Sequence, residues 1–131
     1  MPARLRQLIR ERAGNRCEYC RVPQVVLRTA LQMEHIVARQ HLGGSAEDNL
    51  ALACDRCNLH KGPNLSGIDP DSGEIARLFD PRRDTWNEHF ELRGDEILGR
   101  SPIGRATVQL LQFNTETRMR LRAVVVASGQ W

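Results

Sequence analysis

Hydrophobic and polar positions along the chain follow two different periods, which predicts a mixture of helices and strands. Apolar residues at helical spacing predict a helix over residues 3–13. β-Branched and apolar residues indicate a strand over residues 31–37, and weak alternation favours a second strand over residues 49–53. Residues 55–61 suit a short helix that ends at a Gly-Pro pair. The first half of the chain therefore predicts a helix, two strands and a second helix.

The second half of the chain predicts an extension of strands followed by helices. Residues 63–73 are rich in Pro, Gly, Asp and Ser and predict a loop. Strands are expected over residues 74–79, 85–92 and 96–98, with a turn at Gly94-Asp95, and helices over residues 102–111 and 116–127. Trp86 and Phe90 are expected on one face of the 85–92 strand, packed in the core. Since no linker separates the two halves, we expect one α+β domain over residues 1–131.

The composition is that of a folded domain without a membrane span. The chain has 131 residues, of which 40% are apolar, and this is enough for a core. No apolar run approaches the ~18 residues that a membrane helix needs. The N-terminal segment is charged throughout and lacks the apolar centre of a signal peptide, so we expect a cytoplasmic protein. Six aromatic residues provide little material for a base-stacking platform, which argues against a dedicated single-strand binder.

The charge is unevenly distributed, although its total is only +3. Residues 1–30 carry +5 and residues 101–131 carry +3, whereas residues 31–61 carry −1 and residues 62–100 carry −4. The basic ends form a phosphate-facing surface if they converge in space, and otherwise they are solvated helix faces. The candidate phosphate contacts at the basic head are Arg6, Arg10 and Arg16.

Two cysteine pairs are the strongest local signal in the chain. Cys17 and Cys20 form one C-x-x-C knuckle, and Cys54 and Cys57 form another. Two such knuckles complete a closed tetrahedral zinc site, which leaves no place for a catalytic water. A redox pair would usually occur once, at a strand-to-helix turn, and unliganded thiols are the remaining alternative. We therefore expect one structural Zn²⁺, with the 33 residues between the pairs forming a substantial structure.

The residues between and just after the cysteine pairs carry a second kind of chemistry. Glu34 and His35 lie together at the end of the first predicted strand. A neutral imidazole is a competent base near neutral pH, and a carboxylate with an amide oxygen suits a hard cation such as Mg²⁺. Asn58 provides such an amide beside the second knuckle. Successive strand residues face opposite sides, so Glu34 and His35 share one site only if the strand ends or twists there.

The order of these elements resembles that of the HNH endonucleases. The resemblance is carried by Cys-x-x-Cys, Glu-His-Ile, Gly-Gly, Asn-Leu and Cys-x-x-Cys-Asn-x-x-Lys-Gly, in that order over residues 17–62. The stretch Gly-Pro-Asn-Leu-Ser-Gly-Ile-Asp-Pro that follows is similar to a bacterial subgroup of small stand-alone HNH proteins. The resemblance implies a ββα-metal finger stapled by the zinc site, with an N-terminal helix and a C-terminal hairpin and helix extension over residues 63–131. The chain departs from the family at Ala38, where a Pro is common.

The resemblance implies a DNA endonuclease that hydrolyses phosphodiester bonds with one divalent cation and leaves 5′-phosphate and 3′-hydroxyl ends. His35 would be the general base that activates water. Glu34 and Asn58 would ligate the catalytic Mg²⁺, Mn²⁺ or Ni²⁺, which would hold the scissile phosphate. Asn49 would steady the loop and orient the base, and Lys61 would lie near the phosphate.

The residues alone leave simpler alternatives open. His35 could be hydrogen-bonded in a core, Glu34 could be a surface carboxylate, and Asn49 could be a turn or cap residue. His60, beside the motif, either faces the metal or phosphate or is simply solvated. The rival to a nuclease is a catalytically inactive, zinc-stabilised nucleic-acid-binding module, and a protein-interaction domain on the acidic residues 62–100 has only charge in its favour. We expect DNA as the partner, bound by a monomer or a dimer.

Overall fold

Two short antiparallel strands followed by a helix form the centre of the structure. The computed structural model describes all 131 residues. After an N-terminal helix, α1 (Ala3–Arg12), the chain forms β1 (Gln32–His35), β2 (Leu50–Ala53) and α2 (Asp55–Lys61). The β1–β2 register pairs Glu34 with Ala51 and His35 with Leu50. All four of these elements confirm the predictions made for the first half of the chain.

The C-terminal half adds two hairpins and three helices. The hairpins are β3 (Ser66–Ile68) with β4 (Ile75–Arg77), and β5 (Phe90–Arg93) with β6 (Glu96–Gly99); the helices are α3 (Trp86–His89), α4 (Pro102–Leu110) and α5 (Glu116–Ala127). Both long helices begin at a side-chain cap, because Ser101 accepts from the backbone N–H of Gly104 and Thr115 accepts from that of Arg118. The predicted helices and the turn at Gly94 are confirmed.

Two predictions for the extension are wrong in part. The predicted loop over residues 63–73 contains β3, because the turn is confined to Asp69–Gly73 and brings Ser66–Ile68 alongside β4. The predicted strand over residues 85–92 begins instead as the single helical turn α3. A helical turn places residues four apart on one side, so Trp86 and Phe90 still pack together, with ring centroids 5.0 Å apart.

The hydrophobic core joins the strand–strand–helix centre to the extension. Ile9 of α1 and Leu52 of β2 belong to one buried cluster with three phenylalanines from the second half, Phe79, Phe90 and Phe113. The phenylalanine rings contact one another edge-on or tilted, with Phe90 lying 5.2 Å from Phe79 and 5.6 Å from Phe113. The extension therefore packs directly behind the hairpin that carries Glu34 and His35.

None of the helices combines the length and the apolar character needed to cross a membrane.

Candidate metal centre and catalytic site

The four cysteines come together at one buried point between the first knuckle and the start of α2. Cys54 is the N-cap of α2, and its sulfur accepts from the backbone N–H of Cys57 at 3.4 Å. The first knuckle repeats this contact, with the N–H of Cys20 directed at the sulfur of Cys17 at 3.4 Å. In each knuckle a backbone N–H group thus donates a hydrogen bond to a cysteine sulfur, as expected for thiolate ligands.

The spacing of the sulfurs fits a tetrahedral metal ion. All four Sγ atoms lie within 4.8 Å of one another, and those of Cys20 and Cys54 are 3.7 Å apart. Zinc–sulfur bonds of about 2.3 Å place the corners of a regular tetrahedron about 3.8 Å apart. Each cysteine is at least 97% buried, and none forms a disulfide. The cluster is therefore positioned to bind a metal ion.

Burial alone does not favour four thiolates at this point. Burial raises the pKa of the Cys17 and Cys57 thiols well above the ordinary value, whereas hydrogen bonds from the other three cysteines lower the pKa of Cys20. A bound cation compensates the charge of further thiolates, because a coordinating thiol is deprotonated by the ion itself. A bound metal ion would therefore favour the ionised form of the buried Cys17 and Cys57 thiols.

Arg118 of α5 reaches the cysteine cluster, a contact that sequence reasoning missed. Its guanidinium lies 3.0 Å from the sulfur of Cys57 and 3.8 Å from that of Cys54, and it also donates to the carbonyl of Leu111 at 2.6 Å. Burial acts to lower the pKa of Arg118, but its interactions with the nearby cysteines, Cys57 first, raise that pKa overall. Because 61 residues separate Arg118 from Cys57, no local pattern could have paired them.

His35 lies at the end of β1, beside a loop that Asn49 holds in place. The Asn49 side chain accepts from the backbone N–H of Val37 at 2.9 Å and donates to the carbonyls of Val37 and Gly44 at 3.0 and 2.7 Å. The imidazole Nε2 of His35 is 3.0 Å from the hydroxyl of Ser45, in the same loop. His35 is only half-buried, so its imidazole remains accessible to solvent.

Glu34, the neighbour of His35 on β1, points to the opposite side and is buried. One carboxylate oxygen lies 2.6 Å from the Lys61 ammonium, and the other accepts from the Tyr19 hydroxyl at 2.7 Å. Lys61 also donates to the carbonyl of Ile36 at 2.9 Å. Burial raises the pKa of Glu34, while Lys61 and Tyr19 act against that increase. This inner triad of Glu34, Lys61 and Tyr19 fastens α2 and the first knuckle to β1.

Residues 17–64 match the sequence model of the HNH endonuclease family. These residues are an HNH endonuclease domain. The Septu protein PtuB of Bacillus thuringiensis is 25% identical over 111 residues, which make up 83% of this chain and 40% of that protein. The chain thus spans about two fifths of the length of this curated relative. No solved structure matches the chain.

Two residues of the HNH domain do not lie where the resemblance implied. Lys61 is 2% exposed, and its ammonium is directed at Glu34 and at backbone carbonyls, so it does not reach a phosphate at the surface. Glu34 is 5% exposed, with both oxygens already engaged, and it does not present an open ligand for a cation. The reason is strand alternation: His35 faces the loop, so Glu34 faces α2.

The other candidate residues of the HNH domain are more exposed. Asn58 donates from its amide nitrogen to Gln32 of β1 at 2.5 Å, which leaves its amide oxygen without a protein donor. His60 lies 3.4 Å from the side chain of Gln112, at the start of the link to α5. Of the predicted phosphate contacts, Arg6 lies exposed on α1, and Arg10 is partly buried. Arg16 is held by the carbonyls of Arg21 and Gln130.

A Gly43→Ala substitution is expected to disturb the His35 loop. A Cβ at Gly43 would lie 1.7 Å from the carbonyl oxygen of Val37 and 2.9 Å from the Asn49 amide nitrogen, so the loop must move. We expect a loss of about 1–3 kcal/mol in the free energy of unfolding, measured by chemical denaturation. Gly44→Ala is the matched control, because nothing lies within 4 Å of its added methyl group. Equal stability of the two variants would contradict this description of the loop.

Proposed function

We propose that this chain is a DNA nuclease that hydrolyses phosphodiester bonds, with His35 as the general base. The observation that carries the proposal is the position of His35 within the HNH domain. Its imidazole stands half-exposed at the end of β1, and Asn49 holds the adjoining loop through three hydrogen bonds. A purely nucleic-acid-binding module has no need for a base presented in this way.

The proposed role of His35 is to accept a proton from the attacking water. A neutral imidazole has one ring nitrogen free to accept a proton, which suits it to act as a general base. The Ser45 hydroxyl, 3.0 Å from Nε2, restricts the rotation of the ring before substrate arrives. Attack of the activated water on phosphorus breaks the bond to the 3′ oxygen, which takes a proton from solvent water, so the products are a 5′-phosphate and a 3′-hydroxyl.

We further propose that the metal held by the four cysteines is zinc in a structural role. The sulfur spacing matches a tetrahedral zinc site, and four cysteines leave no open position for a catalytic water. The ion would join the first knuckle to the N-terminus of α2, where Cys54 is the N-cap. This linkage sets α2, and with it Asn58, against β1.

HNH nucleases use a divalent cation, but the residues here do not form an open carboxylate site for one. The Glu34 carboxylate is paired with Lys61 and accepts a hydrogen bond from Tyr19. Of the two predicted ligands, only Asn58 has an oxygen, that of its amide, without a partner. These residues therefore support no catalytic step through a carboxylate-bound cation. Only the similarity to the HNH family supports a requirement for a divalent cation.

The cation requirement is tested by incubating supercoiled plasmid DNA with the protein in EDTA, Mg²⁺, Mn²⁺ or Ni²⁺. Since one active site cuts one strand, we expect nicked circles to appear first, and only when a divalent cation is present. Nicking at the same rate in EDTA would contradict a cation-dependent reaction. Intact plasmid with every cation, at protein in excess over DNA, would contradict the nuclease proposal itself.

A further inference from the structure

A cleft of about 200 Å³ lies between the end of α1, the first cysteine knuckle and the segment leading into α3. Three arginines line it, Arg12, Arg16 and Arg21, together with the indole of Trp86. The Trp86 N–H donates to the carbonyl of Tyr19 at 2.8 Å, so the ring is a fixed wall of this arginine cleft. His35 and its loop do not contribute to the cleft.

The positive charge of the arginine cleft is not neutralised by the protein. Two carboxylates border the cleft, but both are already paired: Glu18 with Arg82, and Asp84 with Arg77 through two hydrogen bonds of 2.7 and 2.8 Å. No carboxylate lies within 4 Å of the three lining arginines, Arg12, Arg16 and Arg21. The cleft therefore holds three positive charges without an anionic partner.

Some arginine side-chain N–H groups around the cleft also have no hydrogen-bond acceptor in the protein. The Arg21 guanidinium lies over Trp86, 5.0 Å from the ring centroid, and donates no hydrogen bond within the protein. Arg82, behind Glu18, has two buried nitrogens, Nε and Nη1, without any acceptor. Burial lowers the pKa of Arg21, and the nearby charge of Arg16 lowers it further. Burial also lowers the pKa of Arg12, and there the charge of Arg82 adds to the effect. An anion in the cleft would give the Arg21 guanidinium an acceptor and would offset the crowding of like charges among the lining arginines.

We propose that the arginine cleft is a phosphate-binding site, separate from His35, that takes a phosphodiester of a nucleic-acid backbone or a terminal phosphate. That the ligand is DNA rests on the proposed function, whereas the affinity for phosphate rests on the cleft alone. Arg12 links the two sites, because it donates to the carbonyls of Glu47 and Leu50 at 2.9 and 2.6 Å, on either side of Asn49. Phosphate bound at the cleft would thus be connected, through the Arg12 side chain alone, to the segment that holds the His35 loop.

The test measures tryptophan fluorescence of the His35→Ala protein during titration with inorganic phosphate. Arg21 stacks on Trp86, and we expect its Arg21→Gln variant to bind phosphate at least about fivefold more weakly. Arg28→Gln is the matched control, because it removes the same charge from an exposed arginine outside the cleft. Equal affinities of the two variants, with unchanged melting temperatures, would overturn the proposal, as would a lack of phosphate and oligonucleotide binding by the parent protein.

Oligonucleotides distinguish the two sources of phosphate. A backbone site predicts equal affinity for 5′-phosphorylated and 5′-hydroxyl duplexes, and a salt dependence whose slope falls by about one in Arg21→Gln. A terminal-phosphate site predicts tighter binding of the phosphorylated duplex, lost in Arg21→Gln. Either pattern supports the cleft, and a salt slope and end preference unaffected by Arg21→Gln overturn it. Since His35→Ala is used throughout, phosphate binding can hold even if the nuclease proposal fails.

Discussion

The Cys54→Ala variant is expected to lose its metal ion and to unfold. Cys54 is both a predicted ligand and the N-cap of α2, so its loss affects the metal site and the helix at once. A structural zinc site contributes ~10–16 kcal/mol at neutral pH, whereas a domain is stable by only ~5–15 kcal/mol. Loss of one of four ligands therefore removes a large part of the total stability.

Circular dichroism together with metal analysis of the purified proteins checks this expectation. The wild type should contain one zinc per chain and melt cooperatively, and Cys54→Ala should contain none and show no transition. Asp55→Ala is the matched control, since it alters the adjoining first residue of α2 without touching the cluster. A folded wild type free of metal, or a Cys54→Ala protein as stable as the control, would contradict a structural zinc site.

Removing one member of the Glu34–Lys61 ion pair is expected to lower the free energy of unfolding more than the replacement of both members would suggest. The two side chains are 4% and 3% exposed, so either one left alone is a buried charge without a partner. Glu34→Gln and Lys61→Met should each lower the free energy of unfolding by about 3–5 kcal/mol, and the double variant should lose much less than the sum. Chemical denaturation of the four proteins gives the coupling between the two residues directly.

The effect of Lys61→Met should also depend on pH. Burial raises the pKa of Glu34, and removal of Lys61 removes the main interaction that opposes this increase. A carboxyl whose pKa is raised by folding favours the protonated form, so its contribution to stability is lost as the pH rises. Lys61→Met should thus be closer to the wild type at pH 4 than at pH 7. A cost below about 1 kcal/mol at both pH values would indicate a solvent-exposed pair instead.

Local signals in the sequence were sufficient to predict the centre of the fold. The C-x-x-C spacing by itself indicates knuckles, and the short apolar runs before and after the glycine pair indicate β1 and β2. The role of Asn49 in steadying the loop came from the family motif, and its three hydrogen bonds fit that role. These features depend on residues that are close in the chain.

The partners of Glu34, Lys61 and Arg118 could not be predicted, because they depend on how distant segments pack. Strand alternation predicts that Glu34 and His35 face opposite sides of β1, but it does not determine which of the two faces outward. Packing of α2 decides it, since α2 places Lys61 under β1. Arg118 reaches the cysteines from the last helix. Its neighbours in the sequence are typical of an ordinary charged helix face.

The most direct measurement of the central claim compares the initial rate of DNA nicking by the wild type with that of His35→Ala, at a saturating divalent cation. A general base contributes ~10²–10⁴-fold, so His35→Ala should nick DNA at least about 100-fold more slowly while keeping its zinc and its melting temperature. His41→Ala, an exposed histidine six residues further along, should remain within about twofold of the wild type. Nicking by a folded His35→Ala protein at the wild-type rate would contradict the account.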